Sequence, residues 1–226
     1  MKLVLFDIDG TLLNCGGQPR GVFAQALTEV FGTCGEAERF DFTGRTDPGI
    51  VLDLITGAGV PKEQVLEKLP QMRELYAGRL EAALQREGMR LLPGVVEILE
   101  RLEAREDVAL ALLTGNWRPG AHTKLSRFDL NRFFAFGAFG CDGIDRSELP
   151  PVALERAERE VGRRFRPEET LIIGDSVHDV SCAHAHGIPC LAVLTGRTRT
   201  EALREAGADW IIEDLRQVAS AVPWLE

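Results

Sequence analysis

The sequence predicts an α/β fold, an open parallel sheet whose first strand is followed by an all-helical insertion. Three observations predict it. Short apolar runs recur along the chain. Most are separated by segments with apolar residues at spacings of three and four. One long stretch, residues 15–91, reads as helical and carries no convincing strand. Strand and helix in alternation imply parallel pairing with right-handed crossovers.

In chain order, residues 3–6 form the first buried strand, which ends at Asp7. Within the insertion, residues 22–31, 49–57 and 62–84 read as helices separated by Gly and Pro. Leu91-Leu92-Pro93-Gly94 returns the chain to the α/β pattern. Helix 95–104 leads to strand 108–113, and the apolar run 133–139 reads as another strand. Helix 151–161 and strands 170–173 and 190–194 follow. A shorter helix, 199–206, is stopped by Gly207, and 210–212 is the last strand. The expected division is a core of 1–14 and 92–226 with a helical unit of 15–91. There is no internal repeat and no low-complexity tract.

The 226 residues fit one domain carrying a smaller insert, and a 45% hydrophobic content supports a real core. A formal net charge of -9 argues against nucleic acid or an anionic membrane as partner. A small phosphorylated ligand stays compatible, because a metal ion and a few local cations override the global field. The five cysteines, Cys15, Cys34, Cys141, Cys182 and Cys190, are odd in number and form no C-x-x-C pair. Reduced thiols in the cytoplasm are the simpler expectation than disulfides or a zinc site. The apolar run before Asp7 is too short for a signal peptide or a membrane span. Monomer and homodimer both remain open.

Ligands of open α/β sheets sit outside the carboxyl ends of the strands. Asp7, Asp9, Thr114 and Asp175 fall there, and an insertion directly after the first strand hangs over the same edge as a lid. Asp9 follows Asp7 on one side by the two-residue period of extended chain, and Gly10 permits a turn. Two carboxylates this close repel, and a divalent cation such as magnesium relieves the conflict. An Asp oxygen is also a competent nucleophile toward phosphorus. Asp175 can complete a magnesium site with Asp7 and the backbone carbonyl of Asp9. Asp179, four residues on, either caps a helix or holds Asp175, a metal-bound water or a loop amide. The hydroxyl of Thr114 and the amides of Gly115 and Asn116 can bind phosphoryl oxygens. For the balancing cation, Arg146 before a helix is favoured. Lys124 is its rival, expected one or two turns into a helix with its ammonium turned away from the site.

Together these residues resemble the haloacid-dehalogenase (HAD) phosphatase superfamily. Asp7-Ile8-Asp9-Gly10-Thr11 matches its first motif and Thr114 its second. Gly174-Asp175-Ser176 through Asp179 matches its fourth, and Arg146 is the best match to its third, where Lys is commoner. The chain's end, with Gly187-Ile188-Pro189 and Gly207-Ala208-Asp209, is similar too. The resemblance implies a Rossmann-like parallel sheet core with an inserted all-helical C1 cap, as in phosphoglycolate phosphatases and β-phosphoglucomutases. It further implies magnesium, an aspartyl-phosphate formed on Asp7, Asp9 as general acid and base, and a small phosphorylated metabolite as substrate. Arg45, in the Thr43-Gly44-Arg45-Thr46-Asp47 loop of the cap, either binds a substrate carboxylate or phosphate or is a plain surface arginine. A mutase is the nearest rival, but His122, His178, His184 and His186 all lie outside the cap. Asp9 argues against a dehalogenase, and against a phosphonate hydrolase using Lys62 or Lys68. A silent binding protein would gain nothing from burying Asp7, Asp9 and Asp175.

Overall fold

The computed structural model describes residues 1–225, with Arg86 described through its backbone alone. β1 (Lys2–Phe6) delivers the chain to Asp7, and β2 (Leu13–Asn14) follows after a tight turn. Three helices come next: α1 (Gln18–Phe31), α2 (Asp47–Gly57) and α3 (Lys62–Ala83). β3 (Arg90–Leu91) pairs antiparallel with β2, Leu13 opposite Leu91 and Asn14 opposite Arg90. This two-strand neck joins the chain where it leaves the sheet region to the chain where it returns.

The returning chain alternates. α4 (Val95–Glu103), β4 (Val108–Leu113), α5 (Arg118–Ser126) and β5 (Gly137–Ala138) come first. α6 (Leu149–Val161), β6 (Thr170–Gly174), α7 (Val177–His184) and β7 (Cys190–Val193) follow. α8 (Thr200–Glu205), β8 (Trp210–Ile212) and the short α9 (Val218–Ala221) come last, before a final 3-10 turn (Pro223–Leu225). The sheet is parallel throughout, in the order β5-β4-β1-β6-β7-β8. Both faces are covered, so its strands read as near-continuous apolar runs. In β1, Leu3 and Leu5 enter one core layer while Val4 and Phe6 enter the other.

Register places the site. Phe6 lies opposite Leu112 on one side and Ile173 on the other. Asp7, the end of β4 and the end of β6 therefore finish level at one carboxyl edge. The helical insertion covers that edge. Trp117, just after β4, packs against Phe23 of α1 and Tyr76 of α3, each with ring centroids 6.0 Å away.

Two expectations need correction. The run 133–139 is not one strand, since residues Leu130–Phe133 form a 3-10 turn and Gly137–Ala138 alone pair with β4. Its apolar character serves packing instead: Phe133 and Phe134 are buried, and Phe134 sets its edge against Phe6 at 6.1 Å. The stretch 15–91 does contain a strand, β3, but two residues cannot show a period. Among the described residues no helix is long and apolar enough to cross a membrane.

Candidate active site

Asp7 extends β1 by one step, its amide donating to the Ile173 carbonyl at 3.0 Å. The chain then turns, and Gly10 adopts φ +86°, a conformation glycine takes at no steric cost. Asp175 leaves β6 on the neighbouring strand and packs against that turn. A Cβ on Gly10 would lie 2.4 Å from the Asp175 Oδ2, and one on Gly196 would lie 1.7 Å from it. Two missing side chains thus make room for one carboxylate.

Asp7, Asp175 and Asp179 each offer an oxygen, all within 4.8 Å of one another. All three side chains are buried. The Asp9 side chain stands outside this group, so any contribution from Asp9 there falls to its backbone. Arg146 opens a 3-10 turn (Arg146–Glu148) whose first amides are capped by Asp145. Its Nη2 lies 2.5 Å from Asp179 and 3.1 Å from Asp7, and also donates to the Leu113 carbonyl at 3.2 Å. Its Nη1 donates to the Gly44 carbonyl at 2.9 Å, and its buried Nε has no partner among the described residues. Asp179 takes the capping role expected of it and adds a contact with Arg146 that was not expected. It accepts from the Ser176 amide and hydroxyl in a capping box of α7, and it anchors Arg146.

Burial, against the pull of Arg146 and with the push of Asp179 and Asp9, raises the Asp7 pKa to about 6. Burial, then Asp179 and Asp7, raises Asp175 well above the carboxylate range. One guanidinium among three acids leaves negative charge uncompensated. Hard oxygen donors in that state fit a divalent cation of the magnesium type.

Lys124 does not point away from the site. Its Nζ lies 2.5 Å from Asp9 Oδ2 and 2.6 Å from Asn116 Oδ1. The reason is geometric: helical side chains lean toward the helix N-terminus, and the N-terminus of α5 faces the carboxyl edge. Asn116 Nδ2 donates to Asp9 Oδ2 and to Thr114 Oγ1, both at 2.8 Å. The buried Thr114 hydroxyl therefore already has a partner at the end of β4. Gly115 is where the insertion rests. Its carbonyl accepts from the Asp47 amide at 2.7 Å, and a Cβ there would lie 2.0 Å from the Arg45 carbonyl. Arg45 sits half-exposed, paired with Asp53 at 2.8 Å and stacked over Phe40, while still lining the cavity.

In the sequence Asp47 is only the last residue of the Thr43–Asp47 loop. It is buried at the first turn of α2 and accepts from the Trp117 amide at 2.7 Å. Burial, partly offset by Lys124, raises its pKa to about 6. Thr46-Asp47-Pro48 ahead of an apolar helix gives a start signal, but nothing in it names a partner 70 residues away. A cavity of about 190 Å³ opens between the insertion and the sheet edge. Asp7, Asp9, Asp175, Arg146 and Lys124 line it from the core; Arg20, Phe23, Arg45, Asp47 and Tyr76 line it from the insertion.

A covered parallel sheet with buried carboxylates at its carboxyl edge defines an α/β enzyme with an acidic, cation-fitting centre. The model of the haloacid dehalogenase-like hydrolase family matches residues 4–193, and the chain belongs to that family of hydrolases. It is similar to a phosphoglycolate phosphatase of Photorhabdus laumondii, 25% identical over 98% of this chain and 92% of that one. It is also similar to the pyrophosphatase PpaX of Oceanobacillus iheyensis, 23% identical over 98% and 97%. Among solved structures, one described as a predicted phosphatase from Clostridium acetobutylicum superposes with a TM-score of 0.71 at 18% identity, covering 97% and 96%. That likeness bears on the fold.

Proposed function

We propose that the chain is a magnesium-dependent phosphatase of small phosphate monoesters, with Asp7 as nucleophile. The observation that carries this reading is the buried trio Asp7, Asp175 and Asp179 beneath a covered cavity, with Asp9 and Arg146 beside it. Residues 1–14 and 92–226 act as the core and 15–91 as the cap. Asp7, Asp175 and the Asp9 backbone carbonyl would hold the metal. When bound, magnesium withdraws charge from the phosphoryl oxygens and lowers the repulsion that a dianion meets from Asp7.

Asp7 attacks phosphorus while Asp9 gives a proton to the departing ester oxygen. Water then attacks the aspartyl-phosphate, with Asp9 taking its proton and Asp7 leaving. Arg146 holds Asp7 in place through both steps and is the third-motif cation. Thr114 and the amides beyond it meet the phosphoryl oxygens at the end of β4. Asp179 acts through Arg146 and the Ser176 loop. The substrate is a small phosphorylated metabolite, and phosphoglycolate is the first candidate because of the relatives' printed activity. Arg45 at the cavity wall would meet a carboxylate on the leaving group, at the expense of its pair with Asp53.

The test is phosphate release from a panel of esters, including phosphoglycolate and an aryl phosphate, with magnesium and with chelator. Release that depends on magnesium is expected. No release from any ester under either condition would remove the phosphatase reading.

A further inference from the structure

Lys124, Asn116 and Asp9 form a closed hydrogen-bonded ring. Lys124 Nζ donates to Asp9 and Asn116, and Asn116 Nδ2 donates to the same Asp9 oxygen. The Lys124 side chain is 4% exposed while that of Asp9 is 42% exposed toward the cavity. Helix α3 seals the lysine: on its neighbour in α5, Gly120, a Cβ would touch Leu80 at 3.4 Å and Tyr76 at 3.7 Å. Taking the lysine's charge out of water for a partner that is still half exposed is a poor source of stability, because an apolar side chain packs at such a position without that desolvation cost. Two of its three donors are held in the ring, so Lys124 is tied to Asp9 and Asn116 first.

We propose that Lys124 and Asn116 are positioning residues for Asp9: they fix Oδ2 so that Oδ1 meets the ester oxygen of the substrate. This rests on the phosphatase reading above. An aspartate on a turn samples several rotamers, and two rigid donors on one oxygen leave a single orientation for the other. In the first step the phosphorus–ester bond breaks with its electron pair going to the ester oxygen. The proton on Asp9 Oδ1 goes to that oxygen as the bond from Asp7 to phosphorus forms. Leaving groups that depart readily as anions need little of this help, while an alkoxide needs it fully.

The experiment compares kcat/KM for propyl phosphate and 4-nitrophenyl phosphate in the magnesium-loaded enzyme, its Lys124→Met and Asn116→Ala variants, and Asp9→Asn as the ceiling. This parameter covers the steps through loss of the alcohol, so the shared hydrolytic step drops out. Both esters are assayed on one preparation, so a loss of folded protein cancels in their ratio. The alkyl-to-aryl ratio is expected to fall about tenfold or more in both variants. Equal losses on the two esters would overturn the proposal and return Lys124 to phosphoryl binding or to packing, since the phosphoryl group is common to both. If Lys124→Met yields no soluble protein, an unchanged ratio in Asn116→Ala overturns it by itself. Wild-type protein that hydrolyses neither ester would instead fail the phosphatase reading, and this inference with it.

Discussion

Arg146→Ala is expected to destabilise the metal-free protein by about 3–5 kcal/mol near neutral pH. The magnitude follows from what the guanidinium touches. It meets Asp179 at 2.5 Å and Asp7 at 3.1 Å, and it donates to the Leu113 and Gly44 carbonyls. Both acids are buried, so removing the cation leaves their charge without solvent or counter-ion, and Asp179 keeps only its bonds from Ser176. For a chain of this size the loss corresponds to a fall in Tm of about 6–20 °C. Its pH dependence has a definite sign. Asp7 already titrates at about 6 with Arg146 present, and rises further without it. At about pH 5 the carboxyls of the variant take up protons, so the penalty shrinks. Magnesium should recover part of the loss at neutral pH, because it binds the folded state. The assay is urea and thermal denaturation of both proteins at about pH 5 and 7.5, in chelator and in magnesium. A loss below about 1 kcal/mol in chelator at neutral pH, or one that grows as pH falls, would refute the reasoning.

Asp7→Asn should abolish phosphate release while far-UV circular dichroism stays unchanged; turnover at the wild-type rate would remove Asp7 as nucleophile. Asp47 has a folded-state pKa of about 6, above its unfolded value. The native state therefore holds that proton more tightly, and the contribution of Asp47 to stability rises as pH falls through 6, levelling off below about 4. Asp47→Asn should remove a share of the pH dependence on the order of 3 kcal/mol, read as the difference between wild-type and variant urea profiles. Identical slopes would place Asp47 in a wetter setting than its burial implies. Gly196→Ala puts a Cβ 1.7 Å from the Asp175 Oδ2 and should raise the magnesium concentration for half-maximal activity by ~10-fold or more. An unchanged magnesium requirement would mean that Asp175 does not hold the ion.

Local patterns carried most of the fold. The apolar runs that became β1, β4, β6 and β7 pack into both core layers, and such strands leave a continuous signature in the chain. Residues 133–139 misled because aromatic side chains that cover a sheet and side chains that form one look alike in composition. Asp7 and Asp175 were legible because each follows the end of a buried strand and parallel strand ends share one edge, and Asp179 because it falls in the first turn of the helix after β6. Arg146 was legible as a cation ahead of a helix, though not its contact with Asp179, which joins a 3-10 turn to the first turn of α7.

By itself the sequence determined an α/β core, a helical insertion after its first strand, and an acidic edge suited to a cation. These follow from periodicity and from which residues end each strand. The tertiary structure alone decided which cation meets which acid. Lys124 reaches Asp9 because α5 aims its side chains back toward the sheet edge and α3 covers them. Asp47 docks on Trp117 because the insertion folds over that edge. Such pairings depend on the relative placement of elements 70 or more residues apart, and no local pattern encodes that distance.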